Sequence, residues 1–333
     1  MSQLRWPQDW PRPLRRGDRV QLVAASSALI GPDAPDRLTA GAALLQRWGL
    51  QLEPSQPERL LGRRWGYLAG RDAERAADLD AAAALLACVR GGWGSARLLE
   101  RPLSLPNGWL LGFSDVTSLL WAQQARGHRG GIHGPLLTTL ATEPRWSRER
   151  LRALLFGEPL PPLSGVGWQA GVAEGPLLVA NLTVATHLLG TAHLPELRGA
   201  ILILEDVGEA PYRIERMLTH WRLCGALQGL AGIGFGSFLG CDEPIEEPPQ
   251  DDEVEANGSY QHDGASEDNS LIAARGAAGR FSLEQVLRER TQDLEIPVVA
   301  GLPVGHAPGN AALPIGAPAR LDGRLGTLEV GGI

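Results

Sequence analysis

The chain has 333 residues, 44% of them hydrophobic, which is enough for two globular domains of roughly 150 residues each. All 31 basic residues are arginine, because the sequence contains no lysine. A chain without lysine amines cannot form a pyridoxal-phosphate Schiff base, a serine–lysine catalytic dyad or a phosphate-binding loop that depends on lysine.

The net charge of −7 has a local origin. Residues 242–268 contain 11 of the 38 acidic residues and no arginine. The other 27 acidic residues are nearly balanced by the 31 arginines, so the charge gives no support to a nucleic-acid partner. We interpret residues 242–270 as an acidic, solvent-exposed insertion.

Three cysteines are too few and too scattered for a disulfide framework or a cysteine-based metal site. The apolar runs fall well short of the ~18 residues of a membrane span. The N-terminal residues lack the apolar stretch of a secretory signal. These features predict a cytoplasmic protein without metal, cofactor or membrane insertion.

The first half alternates between strand-like and helix-like segments. The predicted strands are 19–25, 85–89 and 109–112, and the predicted helices are 36–48, 71–86, 115–126 and 145–156. This alternation is typical of a parallel sheet covered by helices. We therefore predict an α/β fold class with a Rossmann-like parallel-sheet domain over residues 1–156.

Residues 157–176 are rich in proline and glycine and are predicted to form a linker. Beyond them the predicted helices are 181–190 and 210–223, and the predicted strands are 200–204, 232–238, 297–300 and several short runs after residue 313. Frequent glycine and proline after residue 301 suit short strands. We predict a β-rich, barrel-like α+β domain over 177–333 that carries the acidic insertion.

A candidate nucleophile lies in Gly112-Phe113-Ser114-Asp115, which joins a predicted strand to a predicted helix. A tight strand-to-helix turn can lift a serine hydroxyl above the sheet. The free N–H of Asp115 at the helix start could stabilise an oxyanion. Val116 replaces the last glycine of the usual Gly-x-Ser-x-Gly pattern, and a structural role of Ser114 as a helix cap is the alternative.

The turn Arg90-Gly91-Gly92-Trp93-Gly94 also follows a strand and precedes a helix. Its glycines would let the backbone approach a ligand closely, and its N–H groups could hold an anion or an oxyanion. The spacing does not match the Gly-x-Gly-x-x-Gly dinucleotide motif. A tight turn with Trp93 as a packing residue is the alternative.

A serine nucleophile needs a base, and two of the seven histidines occur in glycine-rich turns after strand-like runs. These are His133 and His306, and functional residues are more common in such loops than on helix faces. The longer loop slightly favours His306. A structural role in the turn is the alternative for both.

An orienting acid is expected after the apolar run 201–204, which leads directly into Glu205 and Asp206. Sites in open α/β folds collect at such strand ends. Glu209 and Glu215 are nearby alternatives. The carboxylates of Glu205 and Asp206 could also serve only as caps or ion-pair partners of the following helix.

Eight sequence blocks occur in a defined order along nearly the whole chain: 89–99, 112–115, 133–135, 181–182, 204–209, 211–217, 301–306 and 313–316. No block alone is specific, but their joint order is. Together these blocks resemble one family, the LD-carboxypeptidases (muramoyltetrapeptide carboxypeptidases).

The resemblance implies a serine peptidase whose triad is Ser114, Glu205 and His306, with the backbone N–H groups of Gly92 and Asp115 as the oxyanion hole. It implies a site between an N-terminal Rossmann-like and a C-terminal β-rich domain, commonly in a homodimer. The implied substrate is a murein peptide, cleaved between meso-diaminopimelate and terminal D-alanine in peptidoglycan recycling. Substrate-binding candidates are Trp93, His133 and Asn181.

Several features depart from the family pattern. Trp93 replaces a common tyrosine, Val179-Ala180-Asn181 replaces Gly-Gly-Asn, and the acidic insertion lengthens the stretch between Glu205 and His306. Two other functions therefore stay open. One is a microcin-immunity-type peptidase that cleaves aminoacyl-nucleotides, and the other is a non-catalytic protein that binds a peptide or nucleotide.

Overall fold

The computed structural model describes residues 9–80, 82–242 and 281–331. In these ranges the chain forms two β-sheets, of six and eight strands, with helices packed on them. The predicted α/β fold class is confirmed. The predicted acidic insertion, apart from its first residue, Asp242, lies outside the described residues.

The first sheet has the order β12-β5-β4-β3-β1-β2. Its strands are β1 (Arg19–Val23), β2 (Gln51–Leu52), β3 (Leu85–Cys88), β4 (Trp109–Gly112), β5 (Gly131–His133) and β12 (Leu313–Pro314). All pairs are parallel except β12 with β5. β3 and β4 are buried along their whole length, as expected of central parallel strands covered on both faces.

Seven helices lie within the described residues of the first half. They are α1 (Ala34–Arg47), α2 (Gln56–Leu61), α3 (Asp72–Ala77), α4 (Ser95–Leu98), α5 (Thr117–Ala125), α6 (Leu137–Leu140) and α7 (Arg145–Phe156). The predicted helix over 71–86 is wrong beyond Ala77. The chain turns there because the carboxylate of Asp78 binds Arg63 and the N–H of Ala24.

The second sheet has the order β6-β14-β13-β8-β9-β10-β11-β7 and is nearly closed, like a barrel. Its strands are β6 (Leu163–Ser164), β7 (Val166–Gln169), β8 (Val172–Asn181), β9 (Ile201–Val207), β10 (Gly232–Leu239), β11 (Val298–Ala300), β13 (Pro318–Asp322) and β14 (Thr327–Val330). β8, β9, β10 and β11 are parallel neighbours. Their carboxyl ends therefore lie at one edge.

Within the described part of the second half, three helices accompany this sheet: α8 (Leu182–Leu188), α9 (Pro211–Leu223) and α10 (Leu283–Thr291). α5 packs between the two halves. The indole N–H of Trp121, which is fully buried on α5, donates to the carbonyl of Val179 on β8 at 2.9 Å. The two sheets are thus joined through a common apolar core.

The predicted linker 157–176 differs from the structure. It contains β6, β7 and the first part of β8, so it contributes strands to the second sheet. Strands of two and four residues, separated by glycine, carry too little alternation to be visible in the sequence. β12 also returns from the second half to pair with the first sheet, so chain order and sheet membership do not coincide.

Among the described residues, no helix combines the length and the apolar character that crossing a membrane would require.

Candidate active site

Ser114 lies in a strained turn immediately after β4. Its φ of 62° is in the left-handed region, which a side chain other than glycine rarely adopts. Glycine at position 112 lets the side chain of Val116 pack closely against the end of β4, because a Cβ there would lie 2.6 Å from Cγ1 of Val116. The turn leads through a 3₁₀ segment, Ser114–Val116, into α5. The predicted strand–serine–helix arrangement is what the structure has.

The glycine-rich turn after β3 lies against this serine. A Cβ built on Gly91 would be 3.2 Å from Ser114 Oγ, so only glycine leaves the serine this space. Asp115, which is buried, joins the two turns: its carboxylate accepts the N–H of Ser95 at 2.8 Å, and its carbonyl accepts the Ser95 hydroxyl. Burial raises the pKa of the Asp115 carboxyl group, and its hydrogen bonds oppose that shift.

His306 is carried by the loop that leaves β11 in the second sheet and reaches β12 in the first. The loop is held from both sides. Asn310 Oδ1 accepts the N–H of Gly305, and Ser237 Oγ on β10 accepts the N–H of Ala307. From the first half, the Glu143 carboxylate accepts the N–H groups of Gly309 and Asn310.

Glu205 and Asp206 leave β9 on opposite faces because successive side chains alternate along a strand. The Glu205 side chain is fully buried and faces the His306 loop. The Asp206 carboxylate instead accepts hydrogen bonds from Asn181 and from both the N–H and the hydroxyl of Thr183 at the start of α8. Strand parity thus gives the two neighbouring acids different partners.

Ser114, His306 and Glu205 meet in one chain of hydrogen bonds. Ser114 Oγ is 3.1 Å from His306 Nε2, and His306 Nδ1 is 2.7 Å from Glu205 Oε2. The ring of Phe113 packs against the imidazole with centroids 4.8 Å apart. Burial raises the pKa of the Glu205 carboxyl group, and the hydrogen bond with His306 counteracts this. The arrangement can pass a proton from hydroxyl to imidazole.

Two backbone donors predicted for an oxyanion hole flank the serine. The N–H groups of Gly92 and Asp115 have no acceptor among the described residues. Asp115 follows the serine directly, and Gly92 follows Gly91, the residue in contact with it. Both donors are therefore free to bind a developing negative charge.

The three substrate-binding candidates differ in accessibility. Trp93, within the glycine-rich turn, is 49% exposed, so its indole is available to a ligand. His133 is fully buried behind Phe113, and burial lowers its pKa to about 3, so it stays neutral and has no surface to offer a substrate. Asn181 is also buried and caps α8 through the N–H of Val184, a structural role.

A cavity of about 560 Å³ lies on another side of the His306 loop, at Pro303. Its wall includes the buried Arg150 on α7, whose guanidinium donates to the carbonyls of Ala312 and Pro161. None of the three hydrogen-bonded side chains of the site lines it. The sequence gives no local signal for Arg150 or Glu143. Each contacts a residue of the His306 loop that is more than 150 positions away in the chain.

Comparisons with known proteins identify the family of the chain. Residues 20–134 match the sequence model of the LD-carboxypeptidase N-terminal domain, and residues 174–321 match that of the C-terminal domain. A putative carboxypeptidase of Synechocystis sp. is 43% identical over 328 residues, covering 96% of each chain. A murein tetrapeptide carboxypeptidase of Pseudomonas aeruginosa is 32% identical over 331 residues, covering 92% of this chain and 93% of the relative.

The fold also has a solved counterpart. The microcin C7 self-immunity protein MccF superposes with a TM-score of 0.74 at 20% identity, covering 97% of this chain and 98% of that one. The fold, the Ser114 hydroxyl and the similarity to carboxypeptidases together define a serine-type carboxypeptidase, which is a hydrolase. The chain belongs to the LD-carboxypeptidase family, as the sequence resemblance predicted.

Gly305 provides a test of how the site is assembled. Its φ is 118°, and a Cβ there would lie 2.7 Å from Glu205 Oε2 and 2.6 Å from Ser237 Oγ. We expect Gly305→Ala to push His306 away from Glu205 and to slow labelling of Ser114 by a fluorophosphonate at least about tenfold. The labelling rate is measured by mass spectrometry.

Gly301→Ala is the matched control. Gly301 also has a positive φ, 67°, but a Cβ there would meet nothing within 4 Å. It carries the backbone strain without the collision, so it should label at close to the wild-type rate. Equal slowing in both variants would show that the collision with Glu205 is not what matters.

Proposed function

We propose that this protein hydrolyses the amide between the L-configured centre of meso-diaminopimelate and the terminal D-alanine of murein tetrapeptide. The observation that carries the proposal is the hydrogen-bonded chain from Ser114 through His306 to Glu205. It supports acyl transfer to a serine, and the relative named murein tetrapeptide carboxypeptidase, which matches nearly the whole chain, supports murein peptide as the substrate class.

The proposed reaction begins at Ser114. His306 Nε2 accepts the hydroxyl proton while Oγ attacks the scissile carbonyl carbon. Nδ1–H donates to Glu205, whose carboxylate fixes this tautomer and stabilises the imidazolium. A buried acid suits this role because it cannot turn away to water.

The tetrahedral oxyanion would accept the N–H groups of Gly92 and Asp115, at roughly 3 kcal/mol of transition-state stabilisation per donor. Collapse breaks the C–N bond, and His306 returns its proton to the departing amine of D-alanine. Water, activated by the same imidazole, then attacks the acyl-enzyme and releases the shortened peptide with the serine restored.

The proposal has three further parts: a substrate contact, the assembly and location of the protein, and a second candidate reaction. Trp93 is proposed as a substrate contact because of its exposure beside the glycine turn. A homodimer and a cytoplasmic place in peptidoglycan recycling are inferred from the family resemblance. Cleavage of an aminoacyl-nucleotide is the second candidate, and the fold shared with MccF is its only support, since 20% identity defines the fold alone.

Ser114→Ala tests the nucleophile. Removing Oγ leaves no atom to form the acyl-enzyme, so D-alanine release from murein tetrapeptide should fall at least about 10⁴-fold, while the dissociation constant changes little. Release is followed by chromatography and binding by calorimetry. Ser118→Ala, which removes a hydroxyl on α5 just after the serine turn, should keep near wild-type turnover. Wild-type turnover by Ser114→Ala would reject the assignment.

A substrate comparison separates the two candidate functions. The wild-type protein is assayed at equal concentrations of tetrapeptide, pentapeptide and an aminoacyl-nucleotide amide. We expect the highest kcat/KM for the tetrapeptide, because relatives that match nearly the whole chain include a murein tetrapeptide carboxypeptidase. A higher kcat/KM for the nucleotide would favour the immunity-type function.

A further inference from the structure

The proposed reaction leaves one binding partner unassigned. A carboxypeptidase must recognise the terminal carboxylate of its substrate, which lies two bonds beyond the scissile nitrogen. Carboxylates are held best by a guanidinium, which can donate two parallel hydrogen bonds. The receptor must therefore lie close to Ser114 and have donors that the protein does not already use.

Arg90 meets the requirement of position. It follows β3 and directly precedes Gly91, whose Cβ position is 3.2 Å from Ser114 Oγ. Adjacent Cα atoms are about 3.8 Å apart, so the arginine backbone lies within a side-chain length of the serine. The Arg90 side chain is half-buried, which limits competition from water while leaving it accessible.

The guanidinium of Arg90 also has N–H groups that make no hydrogen bond with the described residues. Its Nη1 donates to the carbonyl of Ala28 at 3.1 Å, in the loop that follows β1. Ala28 adjoins Ser27, whose hydroxyl accepts the N–H of Trp93 at 3.0 Å, so this loop lies along the glycine turn. Nε and Nη2 donate no hydrogen bond within the described residues, and they form the edge of a guanidinium that binds a carboxylate in a bidentate manner.

The charge balance of this region favours Arg90 over its neighbours. Arg63 pairs with Asp78 at 2.9 Å, and Arg75 and Arg97 pair with Asp72 at 2.7 and 2.8 Å. Arg90 has no acidic partner among the described residues. A half-buried guanidinium without a counter-ion, on the residue that precedes the glycine in contact with Ser114, is suited to an anionic ligand.

We propose that Arg90 binds the terminal carboxylate of the substrate and thereby restricts this hydrolase to the last residue of a peptide. The proposal rests on the proposed function and adds its specificity determinant. The carbonyl of Ala28 accepts a hydrogen bond from Nη1 and so orients the guanidinium, while Nε and Nη2 donate to the two carboxylate oxygens. A longer peptide would place an uncharged amide there and leave the guanidinium without its partner.

The test compares the tetrapeptide with its C-terminal D-alaninamide, which differs only in that charge. The wild-type protein should prefer the free acid by about 10- to 100-fold in kcat/KM. Arg90→Gln should cleave both at similar kcat/KM, with the loss for the acid mainly in KM. Arg90→Lys keeps the positive charge but lacks the two parallel N–H donors, so it should show part of the preference for the free acid that Arg90→Gln loses.

Arg97→Gln is the matched control. Arg97 lies close to the same glycine turn but is paired with Asp72, so the variant should keep the wild-type preference for the acid. Tetrapeptide binding to the Ser114→Ala protein, with and without Arg90→Gln, gives a second readout by calorimetry. Circular dichroism establishes that each variant is folded.

The outcomes separate the two claims. If the wild-type protein cleaves the tetrapeptide but Arg90→Gln keeps its preference for the acid and its affinity, the assignment of Arg90 is overturned and the proposed function stands. If the wild-type protein releases D-alanine from neither substrate, the proposed function fails and Arg90 loses its role with it.

Discussion

The contact between Glu205 and His306 determines how the rest of this site can be built. A fully buried carboxylate is costly to keep ionised unless a hydrogen-bonding or cationic partner reaches it. His306 Nδ1 at 2.7 Å is that partner, and the imidazole is thereby turned so that Nε2 faces Ser114. Moving either group would leave the buried Glu205 carboxylate unsatisfied and Ser114 Oγ without its hydrogen-bond partner.

The fold supplies this contact by joining two sheets. Ser114 comes from the carboxyl edge of the first sheet and Glu205 from the carboxyl edge of the second, where sites in parallel sheets collect. The His306 loop starts in one sheet and ends in the other, and Glu143 holds its far side. The geometry of the site is therefore sensitive to the packing between the sheets.

Much of this site could be predicted from the sequence, because buried parallel strands leave continuous apolar runs whose ends are visible. The ends of two such runs indicate Ser114 and the pair Glu205 and Asp206. The residues alone could not choose between His133 and His306, since burial of His133 depends on the surrounding fold. The resemblance to a family indicated His306, and the structure places it against Ser114.

Other features could not be predicted, for physical reasons. The residues alone do not decide between Glu205 and Asp206, because a wholly apolar run does not show the parity of β9, and only the resemblance to a family indicated Glu205. β6 and β7 are too short to produce a periodic pattern, so the proline and glycine content of their segment predicts a linker. β12 pairs with β5 across 180 residues of sequence, a contact that local patterns do not encode.

The central claim is that His306 and Glu205 act as one unit on Ser114, and a double-mutant cycle tests it most directly. The quantity measured is kcat/KM for D-alanine release by His306→Ala, Glu205→Ala and the double variant. If the two residues act together, the double variant should be no slower than His306→Ala alone. Losses that multiply in the double variant would show that the two side chains act independently and would contradict the account.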